Sequence, residues 1–140
     1  MPSALARLLE EVNDLSEALR AHTDRIARGA GTTKAHWAAL AAAGRGDTVP
    51  RIARRLGLTR QSLQRTADNL VAARLAHYDS NPHHRRSPIL VPTREGEALI
   101  ARLQSALDRS RASLGEGLEP EDLETTLLTL RALSDDVERV

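Results

Sequence analysis

The chain has 140 residues, 41% of them hydrophobic and 28% charged, enough for one modest core and too few for two large domains. There is no cysteine, which excludes disulfides, thiolate zinc ligands and a redox-sensing thiol. The net charge of +1 conceals a division: Arg45 to Arg94 holds ten arginines against three aspartates, a local charge of +7, while the flanks sum to −6. No apolar run approaches the roughly 20 residues of a membrane span, and Arg7, Glu10 and Glu11 interrupt any signal-peptide core, so the sequence reads as cytoplasmic with no membrane partner.

In chain order, Leu8, Val12, Leu15, Leu19 and Ile26 recur at threes and fours with His22 in the same stripe, which predicts a long amphipathic helix from Leu5 to Ile26. Gly29 and Gly31 end it. Thr32 or Thr33 caps a second helix with Trp37 and Leu40 inside, closed by Gly44 and Gly46. Thr48 and Pro50 open a short third helix with Ile52, Ala53 and Leu56 on its inner face, and Gly57 stops it. Thr59 then caps a helix from Arg60 to about Arg74, whose inward residues Leu63, Ala67, Leu70 and Val71 turn Arg60, Gln61, Gln64, Arg65 and Asp68 outward.

At Leu75 the period changes. Ala76 to Ser80 and Ile89 to Val91 predict two strands joined through Asn81-Pro82-His83-His84-Arg85-Arg86-Ser87-Pro88, a hairpin with a basic tip. Thr93 caps a long helix carrying Leu99, Ile100, Leu103, Leu107 and Leu114, and Pro120 starts a last one with Leu123, Leu127, Leu130 and Val137 along one side. The first and last helices both carry leucine seams longer than one small lobe covers, which predicts a homodimer.

The predicted fold is mostly α with a small β-hairpin wing. A winged helix-turn-helix lobe at 32–92 lies between dimerisation helices at 1–30 and 93–140, all within a single domain. Helix, tight turn, helix and hairpin suit a DNA major groove, which admits one helix. Near that helix's start Arg60, Gln61, Ser62, Gln64 and Arg65 are residue types that bond base edges, Arg favouring guanine and Gln adenine. Arg85 and Arg86, with His84 beside them, suit an adjacent minor groove. Thr59, Arg51, Arg54 and Arg55 are candidates for phosphate contacts.

The run TVPRIARRLGLTRQSLQRTADNL followed by RLAHYDSNPHHRRSPILVPTREG resembles the MarR (multiple antibiotic resistance regulator) family of bacterial transcriptional regulators, over nearly the whole chain. The resemblance implies a dimeric repressor, less often an activator, bound to a pseudo-palindromic double-stranded DNA operator and modulated by a small organic ligand. His22, His36 and Trp37 are the residues considered for an effector pocket. Relatives carry Asp-Arg-Arg in the wing and Asp-Arg-Leu in the recognition helix, where this chain has His84-Arg85-Arg86 and Asp68-Asn69-Leu70. That exchange leaves Asp68 to orient Arg85 or Arg86.

Other chemistries find little support. His77, His83 and His84 are close in sequence but lack a carboxylate cluster, so no metal and no cofactor are expected. No nucleophile elbow, HExxH or phosphate loop is present, and no enzyme activity is expected. Two alternatives accompany this reading: a ligand-independent architectural DNA-binding factor, and a protein-interaction module built on the winged lobe.

Overall fold

A computed structural model describes residues 1–140. Its elements run α1 (Ala4–Gly29), α2 (Lys34–Ala43), β1 (Asp47–Thr48), α3 (Val49–Leu56), α4 (Arg60–Ala72), β2 (Ala76–Asp79), β3 (Ile89–Pro92), α5 (Arg94–Ser113) and α6 (Pro120–Arg139). The chain divides into two compact units, 1–107 and 108–140. No helix is long and apolar enough to cross a membrane.

Thr33 and Thr59 cap their helices as expected and Ser3 caps α1 in addition, while Thr48 stands before α3 with no side-chain capping bond. Ser3, Thr33 and Thr59 each accept a bond from the backbone N–H three residues on, at 3.1 Å, satisfying a donor that the helix itself leaves open. Gly57 takes a left-handed conformation (φ 66°, ψ 30°) after α3, and its neighbour Leu58 donates to the Ala53 carbonyl. A Cβ is disfavoured in that conformation, so glycine makes the tight turn between α3 and α4 inexpensive.

The first unit packs α2, α3, α4, the sheet and the first half of α5 around one core. Leu40, Ile52, Leu63, Leu70, Leu90 and Leu103 are fully buried there, and Ala27, at the end of α1, belongs to the same cluster. Each such leucine or isoleucine contributes about 1.5–3 kcal/mol of transfer free energy. Leu99, Leu103 and Leu107 of α5 lie in this core, so the beginning of the fifth helix is part of the lobe's packing as well as an exit from it.

The sheet is larger than the predicted hairpin. It has three antiparallel strands in the order β1-β3-β2, with Asp47 opposite Leu90 and Thr48 opposite Ile89 on one side of β3, and Tyr78 opposite Leu90 on the other. A two-residue strand has no alternation to detect, and its partner lies about forty residues away, so β1 is defined by pairing alone.

The end of α4 also departs from expectation. The helix closes at Ala72 and Arg74 adopts φ 61°, a left-handed position occupied here by a non-glycine residue. The turn is held because Leu75 donates to the Leu70 carbonyl at 2.9 Å and the Thr93 hydroxyl donates to the Arg74 carbonyl at 2.7 Å. Thr93 Oγ1 in turn accepts from the Gly96 N–H at 3.1 Å, capping α5. At Gly96 a Cβ would collide with the Leu75 carbonyl oxygen, so the Thr-x-x-Gly sequence encodes a close backbone crossing between the end of α4 and the start of α5.

The second unit has α6 as its main element. None of its 20 residues is buried, and Leu123, Leu127, Leu128 and Val137 are exposed.

Candidate nucleic-acid interface

Leu63, Ala67 and Leu70 anchor α4 in the core, which fixes the rotation of the helix about its axis. Arg60, Gln61, Gln64 and Arg65 are consequently exposed, with Ser62 half-buried. Gln61, Gln64 and Arg65 border a shallow surface depression. The Thr59 hydroxyl is occupied as a cap, accepting from the Ser62 N–H.

The wing tip is shaped by Asn81. Its side-chain oxygen accepts from the His83 N–H at 3.0 Å, its amide donates to the Ser87 carbonyl at 3.1 Å, and its own carbonyl accepts from the His84 N–H at 3.2 Å. These bonds span the loop and leave His84, Arg85 and Arg86 exposed on it. Nearer the sheet, His77 Nδ1 lies 3.0 Å from Asp79 Oδ1.

Two aspartates organise charge behind these surfaces. Asp47 is buried; its Oδ2 lies 2.7 Å from Arg55 and its Oδ1 lies 3.4 Å from Arg51 while accepting the Thr48 N–H at 2.8 Å. Arg55 also donates to the Ala42 carbonyl at 2.8 Å. Arg51 and Arg55 therefore tie α3 to β1 and α2. Arg54 is exposed on the same helix.

The second aspartate corrects an expectation. Asp68 does not orient Arg85 or Arg86; its Oδ1 accepts from the Tyr78 hydroxyl at 2.7 Å and from Gln64 Nε2 at 3.0 Å. Gln64 Nε2 also donates to the Tyr78 oxygen at 2.9 Å, closing a triangle that links α4 to β2. One helical turn separates Gln64 from Asp68, so the pair was available in the sequence, whereas Tyr78 is added only by the strand register. Burial and the adjacent Asp68 carboxylate push the Tyr78 phenol up to about 12, with Gln64 acting weakly in the opposite direction.

Among the residues considered for an effector pocket, Trp37 is buried in the core cluster, while His22 and His36 are half-buried. No group of three or more His, Asp or Glu side chains is placed to hold a metal ion.

The arrangement can be set beside known proteins. A MarR family profile matches residues 30–87, spanning α2 to the wing tip. An uncharacterized protein of Mycobacterium tuberculosis is 37% identical over 134 residues, covering 95% of this chain and 94% of its own length. Among solved structures, MarR family transcription regulator SP03579 aligns with a TM-score of 0.83 at 24% identity, covering 97% of this chain and 94% of that one. A mutant E. coli MarR complexed with operator DNA aligns with a TM-score of 0.69 at 18% identity, covering 94% and 99%. At those identities the structural likeness is one of fold, the winged helix with long flanking helices. Together with a profile match over the lobe and a relative matched along nearly the whole length, it places this chain in the MarR family.

Proposed function

We propose that the protein is a homodimeric, sequence-specific DNA-binding regulator, acting as a repressor on a pseudo-palindromic operator. The observation that carries this reading is the exposed face of α4, where Arg60, Gln61, Gln64 and Arg65 stand together at the start of a helix whose opposite face is locked in the core. Arg and Gln in that position match the donor and acceptor pattern of base edges. Arg85 and Arg86 on the wing add cations for a neighbouring minor groove. Arg54 is the freest cation of α3 for a phosphate, because Arg51 and Arg55 share Asp47. The E. coli MarR complex with operator DNA supports the same use of the fold.

Regulation by a small organic ligand belongs to the same proposal. Trp37 is the only tryptophan, so its fluorescence reports any ligand that perturbs the α2 region.

The test is a footprint on the DNA upstream of the protein's own gene, followed by anisotropy titrations across a range of salt. Association should weaken steeply with salt, with a log–log slope of about −0.9 per phosphate neutralised. Flat salt dependence, or no preference for any duplex, would refute DNA regulation and favour docking onto another protein.

A further inference from the structure

Tyr78 is planted where the wing strand meets the core. It lies opposite the fully buried Leu90 in the sheet, and its ring packs on the core cluster. Its hydroxyl reaches the exposed side of α4, donating to Asp68 Oδ1 at 2.7 Å, the length of a charge-assisted bond. The phenol keeps that hydrogen through the neutral range, because its pKa is raised to about 12.

Gln64 leans on this pair. Its Nε2 lies 2.9 Å from the Tyr78 oxygen and 3.0 Å from Asp68 Oδ1. Those two oxygens are too close together for Nε2 to aim a separate hydrogen at each, so they share one hydrogen, and the other N–H and Oε1 stay available to a base edge. The triangle therefore restrains the side chain without using up its reading groups. An unrestrained glutamine samples several rotamers, and ordering such a side chain on binding costs about two- to tenfold in affinity. Gln64 is exposed on the face of α4 that carries Arg60, Gln61 and Arg65, so on binding DNA that cost falls on base reading. Asp68 by itself restrains it weakly, as an exposed neighbour one helical turn away. The firmer hold comes from Tyr78, which is rooted in a different element.

Resting on the DNA-reading function proposed above, we propose that Tyr78, acting with Asp68, is a positioning residue that pre-orders Gln64 for base reading at one base pair of each half-site. The wing strand thereby sets how sharply the recognition helix discriminates, through a residue that need not touch a base.

The experiment is selection from a randomised duplex pool with the full chain, followed by competition titrations at fixed salt. The position read by Gln64 is the one whose preference disappears in Gln64→Ala. At that position Tyr78→Phe should lower the ratio of affinities for the best and worst base by about two- to tenfold, and Tyr78→Phe/Asp68→Ala by at least as much. Preferences at the other positions and affinity for random duplex should be unchanged. In the Gln64→Ala background, Tyr78→Phe should have no further effect at that position, since the side chain it orders is gone. Circular dichroism checks that each variant folds, and Tyr78→Phe, which keeps the ring in the core, is decisive if the double variant does not. Unchanged discrimination in Tyr78→Phe, a loss spread over every position, or sharper discrimination once the hydroxyl is removed, as expected if Gln64 must leave the triangle to read, would each overturn the inference while leaving DNA reading intact. So would a Gln64→Ala variant that alters no position. If wild type enriches no sequence at all, the DNA-reading function itself falls, and this inference falls with it.

Discussion

Tyr78 is the only tyrosine in the chain, so its ionisation can be followed directly by phenolate absorbance. Its pKa is raised from an ordinary 10.0 to about 12 by burial first and by the Asp68 carboxylate next, so its titration should be centred near 12 in the folded protein. Asp68→Asn should bring the midpoint back toward 10, since both the charge and the charged acceptor are lost; an unchanged midpoint would mean that Asp68 does not hold the phenol. The linkage has a definite sign. A group whose folded pKa lies above its unfolded value stabilises the fold fully below about 10, and that contribution is lost as pH rises through 12. Arginines differ by position in the same manner. On the proposed operator Arg65→Ala should cost about 1–3 kcal/mol and blunt discrimination at one base pair per half-site, whereas Arg54→Ala should weaken all duplexes alike and make the salt slope shallower by about one. Equal losses on operator and random DNA for both variants would move base reading away from Arg65. The outward set on α4 was legible in the sequence because helical period and the Thr59 cap together determine which residues face away from the core. Tyr78 was not, because its role depends on β2 turning it toward α4, a tertiary fact absent from local pattern.

At the scale of elements, long periodic segments were readable and pairing-defined ones were not. The helices appear in the expected order because their leucine and isoleucine spacing carries the period and because Thr, Gly and Pro mark most of their ends, although Thr48 precedes α3 without a side-chain capping bond. β1 escaped because two residues carry no period, and the stop of α4 escaped because Arg74 occupies a left-handed position that usually carries glycine. The Asp47 links explain why a buried carboxylate is tolerated in β1: two guanidinium groups and a backbone N–H share it. Arg51 and Arg55 keep their contact with water, so Asp47→Ala chiefly deprives the Thr48 N–H of its partner and should destabilise the lobe by about 1 kcal/mol in urea unfolding. Gly96 gives a sharper test. A methyl group there meets the Leu75 carbonyl, which is backbone and cannot rotate aside, so Gly96→Ala should cost about 1–3 kcal/mol or more despite alanine's better helix propensity. A neutral or stabilising result in chemical denaturation would show that α4 and α5 cross less tightly than this geometry requires.

For the whole molecule, the apolar surface of α1 and α6 presents the largest imbalance. Leu5, Leu9, Leu15 and Leu19 of α1 and Leu123, Leu127 and Leu128 of α6 are exposed, Leu15 at 56% and Leu127 at 41%, although the winged lobe is well filled. A 20-residue helix with no buried residue gains little from intrinsic propensity in water, where most helical stability comes from packing an apolar face. The proposed homodimer would supply that packing with a second copy, and a two-fold axis would relate its two α4 helices, as the proposed pseudo-palindromic operator requires. Protected half-sites should then lie about 10 bp apart, one turn of duplex. Leu15→Asp or Leu127→Asp puts a charge into a seam that must lose its water, so either should split the dimer or unfold the chain. Because dissociation is coupled to loss of helix packing, the wild-type melting temperature should rise with protein concentration, and the variants should lose that dependence if they remain folded as monomers. Sedimentation of wild type as a stable monomer at micromolar concentration, with a melting temperature independent of concentration, would rule the dimer out.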